Sequence, residues 1–175
     1  MATANVKKRT IVLCTSNYSV SQWANQFLVF TDVNKERVIE LNSQKKDEKI
    51  LAKLTPKNPV ILVTTYHMMF KRKNKSGSEI GAPLSLSDMI RDRIRSLEWG
   101  LIVLDEVHVA PAESFSLSLT EIKSHCKLGL TATLLREDAR LPNLEYLIGP
   151  KLHEENWKDL ENEGFLAKAL CVEVI

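Results

Sequence analysis

Residues Leu101, Ile102, Val103 and Leu104 form an apolar run too tight for one face of a helix, and it stops abruptly at Asp105 and Glu106. That pattern predicts a strand buried on both faces, with two carboxylates delivered at its carboxyl end. Three earlier stretches have the same character: Arg9 to Cys14, Arg37 to Leu41 and Pro59 to Thr64. A further short run, Leu128-Gly-Leu-Thr-Ala-Thr133, comes one helix's length after the carboxylates and is expected to lie beside their strand. Between these runs the apolar positions take helical spacing. Ser19 and Gln22 stand three apart as a capping box requires, ahead of Val20, Trp23, Ala24 and Phe27. Gln44 to Leu54 predicts a charged helix with Ile50, Leu51 and Leu54 on one side. Ser85 or Ser87 caps another, in which Met89, Ile90, Ile94 and Leu97 form the apolar stripe while Arg91, Arg93 and Arg95 face out. Asn156 to Glu163 reads as a helix with Trp157 and Leu160 inward and Gly164 as its stop. Residues 1–8 look like the worn end of a helix, Lys71 to Pro83 has the composition of a loop, and Ala167 to Ile175 reads as a final strand or the start of a second domain.

Strands alternating with helices at these spacings predict an α/β domain, a mainly parallel sheet with helices on both faces. Parallel sheets place their chemistry at the carboxyl ends of the strands. One rim therefore collects Thr15, Ser16, Thr64, Thr65, Asp105, Glu106 and Thr131 to Thr133.

Composition narrows the class without naming a function. With 175 residues, 44% of them hydrophobic, the chain is long enough for one domain with a real core. A net charge of +2, from 24 basic and 22 acidic residues, excludes a global basic field, so any contact with nucleic acid must be local. Cys14, Cys126 and Cys171 are odd in number and lack C-x-x-C spacing, which points away from a disulfide framework or a zinc site and towards a reducing compartment. Each reads as a small core hydrophobe. No apolar run approaches the roughly 20 residues of a membrane span, and the first residues lack a signal peptide's apolar centre. The expectation is a soluble intracellular chain with no membrane partner.

A carboxylate pair at a strand end is what nucleoside triphosphate hydrolysis needs, one group for Mg²⁺ and its neighbour for the attacking water. An acidic strand end that merely opens the next turn is the plain alternative. The downstream blocks separate the two. Asp105-Glu-Val-His108 resembles the DExH form of motif II, and Thr131-Ala132-Thr133 resembles motif III, of superfamily 2 helicases. More narrowly, the stretches from Trp99 to His108, from Cys126 to Asp138 and from Leu147 to Leu152 resemble the xeroderma pigmentosum group B helicase family. That family supplies the DNA translocase subunit of the transcription and repair factor TFIIH and has archaeal relatives. The resemblance runs from about Val6 to the end of the chain.

The resemblance implies a RecA-like fold and an ATP-dependent DNA helicase or translocase acting in transcription initiation and nucleotide excision repair. ATP and Mg²⁺ would be its cofactors, DNA and the other TFIIH subunits its partners, and the nucleus its location, or the cytoplasm in an archaeon. Asp105 would bind Mg²⁺ and Glu106 would activate water. His108 and Thr131, Ala132 and Thr133 would couple the nucleotide site to the DNA side. Thr15 and Ser16 match motif Ia, and Thr64, Thr65 and Tyr66 match a later strand-end motif; all would face DNA, holding phosphates without reading bases. Arg136, Glu137 and Asp138, characteristic of the family, would help to part the strands. On the residues alone, His108 reads as a structural histidine, the hydroxyls as turn and cap chemistry, and the charged triplet as a solvated helix start.

One departure limits the transfer. Triphosphate hydrolases need a Gly-rich loop ending in Gly-Lys-Ser or Gly-Lys-Thr, whose N–H groups and Lys neutralise phosphates, and no such sequence occurs in these residues. The family places that loop just before the segment resembling residues 4–9. The expectation is thus that residues 1–150 are part of a first motor domain lacking the P-loop strand and helix. Residues 151–175 would then lead towards an absent second motor domain. Such a chain alone should not turn over ATP. The alternatives are a truncated, non-catalytic paralogue that binds DNA or a partner, and a metal hydrolase using Asp105, Glu106 and His108, which lacks a second ligand cluster.

Overall fold

The computed structural model describes residues 8–69, 85–107, 119–132 and 141–167, with the side chains of 141–144 left aside. Five strands form one sheet: β1 (Arg9–Cys14), β2 (Val38–Leu41), β3 (Val60–Thr65), β4 (Trp99–Asp105) and β5 (Ser124–Leu130). Every pairing is parallel, in the order β2-β3-β1-β4-β5. The helices are α1 (Asn17–Phe30), α2 (Lys49–Lys53), α3 (Tyr66–Met69), α4 (Leu86–Ser96), α5 (Leu141–Ile148) and α6 (Trp157–Asn162). Among the described residues no helix is long and apolar enough to cross a membrane.

The strand order decides which face each helix covers. From β1 the chain moves outward to β2, then returns through β3, β4 and β5 in the opposite direction. Parallel crossovers are right-handed, so the outward connection lays its helix on one face and the returning ones on the other. The core divides accordingly. Val12, Cys14, Val63 and Val103 pack under Val20 and Ala24 of α1. Their neighbours Ile11, Leu13, Leu62, Ile102 and Leu104 point the other way, against Ile50, Met69, Ile90 and Ile94. Alternation along each strand thus feeds both layers, which is why the strands read as continuous apolar runs.

Several predicted elements shift, each for a local reason. The cap of α1 is Ser16 and not Ser19: its hydroxyl accepts from the Ser19 amide at 3.0 Å, so the helix starts three residues early. The helix expected from Gln44 shrinks to Lys49–Lys53 because Asn42 Oδ1 takes the amides of both Gln44 and Lys45 at 2.9 Å, holding a turn there. Lys35–Arg37 is a 3₁₀ turn, so β2 begins at Val38. β3 runs on to Thr65. In α4, capped by Ser85 as expected, Arg91 is buried and Met89 exposed, the reverse of the predicted faces. The Arg91 guanidinium is satisfied inside, donating to the Met68 carbonyl at 3.2 Å and to Asp88 at 2.6 Å. Trp157 is 55% exposed rather than inward. Cys14 is buried as a core thiol, whereas Cys126, on the outer strand β5, is exposed. The expected loop from Lys71 to Pro83, the first residues 1–7, Cys171 and the last strand from residue 168 lie outside the described residues.

Candidate functional site

The reversal of direction at β1 creates a crevice at the carboxyl edge of the sheet. The chain leaving β1 turns towards the α1 face, while that leaving β3 turns towards the opposite one. Open α/β sheets bind ligands at such a switch point. β4 lies directly beside β1, with Leu13 opposite Leu104, so Thr15 and Ser16 stand next to Asp105 and Glu106. Asp105 and Glu106 are half-buried, and Thr15 and Ser16 are exposed.

Glu106 has φ 54°, in the left-handed region and alone in this among the described non-glycine residues. A branched or long side chain enters that region only where its surroundings hold it. Contacts among the described residues contribute to that hold. Tyr66 donates its hydroxyl to the Asp105 main-chain carbonyl at 3.0 Å. Thr131, just past β5, sits with its hydroxyl 3.5 Å from Glu106 Oε2, at the outer limit of a hydrogen bond. Val107 lies against Gly129 so closely that a Cβ there would meet Val107 Cγ2 at 3.0 Å. The glycine in β5 therefore lets the residue after the acid pair seat on the neighbouring strand.

The electrostatics of the crevice follow from its burial. Cys14, fully buried, has its thiol pushed up from 9.0 to about 12, first by desolvation and then by the Asp105 carboxylate. The Tyr66 phenol is likewise raised well above its ordinary value by burial, with Asp105, Cys14 and Glu106 adding to the effect. Both groups stay protonated, so Tyr66 keeps its donor hydrogen. A raised folded-state pKa means stability that is complete below pH 9 and is lost as pH rises towards 12, because the unfolded chain ionises first. The thiol's share is at most about 4 kcal/mol, since ionisation held off from pH 9.0 to about 12 is worth ~1.36 kcal/mol for each pH unit. Urea unfolding at pH 8 and at pH 10.5 should show a clear loss of stability at the higher pH, and Cys14→Ala should make that loss smaller. An equal loss in both proteins would show that the buried thiol is not its cause.

The strand order brings Asp105, Glu106, Thr131, Thr15 and Ser16 to one stretch of the sheet's carboxyl edge. Three residues expected to face DNA sit inside the described fold. Thr64, Thr65 and Tyr66 are all buried, at 0%, 5% and 3% exposure, because β3 is an interior strand that continues to Thr65. Among the described residues the Thr64 hydroxyl has no hydrogen-bond partner. Ser16 is already engaged as a helix cap and pairs with the Ser19 hydroxyl at 2.9 Å. Ala132 is exposed beyond β5. His108, Thr133, Arg136, Glu137 and Asp138 lie outside the described residues. Sequence reasoning missed Tyr66 as a buried brace. The available signal was its place in the first turn after an interior strand, where a phenol points back over the sheet.

A Mg²⁺ ion fits the donor set in a limited way. Hard cations want oxygen ligands, and Mg²⁺ takes one or two carboxylates together with substrate phosphates and water. Asp105, at a strand end in a partly open crevice, matches that demand. Among the described residues no group of three or more His, Cys, Asp or Glu side chains makes an all-protein metal cage. No Gly-Lys-Ser or Gly-Lys-Thr sequence, the usual mark of a phosphate loop, occurs in the chain.

Comparison with known proteins bears on this crevice. Residues 1–136 match the family model described as the Type III restriction enzyme, res subunit (ResIII). The chain belongs to the ResIII family. This ResIII chain is 41% identical over 173 residues to the Drosophila melanogaster general transcription and DNA repair factor IIH helicase/translocase subunit XPB, covering 99% of the chain and 20% of that protein. It is 45% identical over 175 residues to the Dictyostelium discoideum XPB subunit, covering 99% and 20%. The Arabidopsis thaliana XPB1 subunit is 42% identical over 174 residues, covering 99% and 21%. The chain thus spans about a fifth of the length of these relatives. Among solved structures, the Pyrococcus furiosus Hef helicase domain superposes with a TM-score of 0.63 at 18% identity, over 85% of this chain and 29% of that one. The Sulfolobus solfataricus SWI2/SNF2 ATPase core in complex with dsDNA gives 0.55 at 16%, over 85% and 27%. These likenesses show the fold: a RecA-like parallel sheet with helices on both faces.

Proposed function

We propose that this chain is the part of a first motor domain that follows the phosphate loop in an ATP-driven DNA helicase or translocase. Residues 1–150 form that part, and residues 151–175 lead towards a second motor domain. The observation that carries the reading is the left-handed Glu106 beside Asp105 at the switch point, with the Thr131 hydroxyl 3.5 Å from its carboxylate. ATP with Mg²⁺ supplies the phosphoryl group whose transfer to water drives the motor. Asp105 would hold the Mg²⁺ ion when it is bound. Glu106, one residue on and in the left-handed conformation, takes the proton of the attacking water. Thr131 senses that carboxylate from the neighbouring strand, and Ala132 and Thr133 carry the signal onward, with His108 on the other flank. Thr15 and Ser16, with the amides at the start of α1, lie where backbone phosphates of a DNA strand are held without base reading. Arg136, Glu137 and Asp138 act on the duplex and not on the nucleotide.

The names of its relatives support a parent that works with the other TFIIH subunits on DNA in transcription and repair, and a nuclear location is the expectation that goes with that reading. The lack of a Gly-Lys-Ser or Gly-Lys-Thr sequence in these residues supports a second reading, a truncated non-catalytic paralogue that keeps the DNA-facing rim or a partner surface. One experiment separates the two. In a full-length motor carrying this segment, Asp105→Asn should weaken Mg²⁺-dependent nucleotide binding by about tenfold, the loss of one charge-assisted ligand contact of ~1.4 kcal/mol. DNA-stimulated phosphate release should fall with it. A parent with no DNA-stimulated hydrolysis to lose would favour the paralogue.

A further inference from the structure

Tyr66 opens α3 directly after Thr64 and Thr65. Its ring is buried, and its hydroxyl reaches the Asp105 carbonyl at 3.0 Å. β1 lies between β3 and β4, so this bond joins two strands that are not neighbours in the sheet. Its mount is stiff. Arg91 and Arg95 of α4 donate to the carbonyls of Met68 and Met69, each at 3.2 Å, which ties the single turn of α3 to the longer helix. The accepting carbonyl belongs to the peptide that ends at the Glu106 nitrogen. Holding that carbonyl restrains the plane of the peptide from which Glu106 leaves at a φ of 54°. From that conformation Glu106 Oε2 comes to 3.5 Å from the Thr131 hydroxyl.

We propose that Tyr66 is a positioning residue for Glu106: its hydroxyl holds the Asp105–Glu106 peptide so that the Glu106 carboxylate is aimed towards Thr131. Placement of the carboxylate thereby depends on the strand end that carries Thr64 and Thr65. A shift of that strand end moves the carboxylate through one hydrogen bond, without passing through β5. The geometry stands by itself; its consequence for catalysis rests on the reading of Glu106 as the water-activating group.

The test is Tyr66→Phe, which keeps the ring and removes only the donor. In the 175-residue chain the Asp105 carbonyl carbon resonance should move upfield and the Glu106 backbone shifts should leave left-handed values. The melting temperature should stay within about 4 °C, as loss of one hydrogen bond allows. In the full-length motor, kcat for ATP hydrolysis should fall about tenfold while KM for ATP stays within roughly twofold, a loss confined to the transition state. Unchanged Glu106 shifts overturn the proposal, and so does an unchanged kcat or a matching rise in KM. Should Glu106→Gln leave hydrolysis intact, the functional reading fails, and the resonance shifts still decide the positioning claim. If Tyr66→Phe does not fold, fluorinated tyrosine in place of tyrosine keeps the hydroxyl and strengthens it as a donor. The other two tyrosines, Tyr18 and Tyr146, are 79% and 89% exposed. The Asp105 carbonyl should then move downfield, and an unmoved resonance refutes the bond's role.

Discussion

In a full-length motor that carries this segment, Glu106→Gln is expected to abolish ATP hydrolysis while leaving nucleotide binding nearly intact. The substitution is close to isosteric, so the strand end keeps its packing, and the amide oxygen can still accept from Thr131. What disappears is the base. A neutral amide cannot take the proton of the attacking water, and general-base contributions are typically about 10²–10⁴-fold. Loss of kcat by that factor, with the dissociation constant for ATP within roughly twofold of the parent, is the signature of a group that acts in the transition state alone. Single-turnover phosphate release beside equilibrium nucleotide binding measures both. Normal turnover in the variant would refute the role given to Glu106. Equal loss of binding and turnover would move Glu106 into metal binding alongside Asp105.

Much of this arrangement is legible in the residues because interior parallel strands and strand-end carboxylates leave plain marks. Leu101 to Leu104 followed by two acids can hardly be anything but a strand entering a rim, and the pairing of Leu13 with Leu104 puts Thr15 and Ser16 beside it. The order of strands was not legible. Nothing in a run such as Pro59 to Thr64 states that it lies between β2 and β1, and that placement buries Thr64, Thr65 and Tyr66. Hydroxyl residues at a strand end read alike whether the strand is flanked or free, so the burial of Thr64 and Thr65 leaves no mark in the sequence. Helix faces fail for a related reason. Arg91 carries a charge but has the Met68 carbonyl and Asp88 within hydrogen-bond distance, so the helix turns it inward where periodicity alone puts it out. The left-handed turn at Glu106 has no sequence mark at all, since local preference runs against it and only tertiary contacts impose it.

On the proposed reading Asp105 and Glu106 serve the metal and the water, while no Gly-Lys-Ser or Gly-Lys-Thr sequence occurs in the chain. Phosphate neutralisation by loop amides and a lysine is the larger part of nucleotide affinity in P-loop proteins, and a single strand-end carboxylate with Mg²⁺ cannot replace it. Calorimetric titration of the 175-residue chain with ATP·Mg²⁺ tests this directly. The prediction is weak binding, with Kd far above about 1 μM, the level at which binding reaches ~8 kcal/mol. Binding at or below about micromolar would mean that this chain holds a phosphate site of its own, and would contradict its reading as the part of a motor domain that follows the phosphate loop.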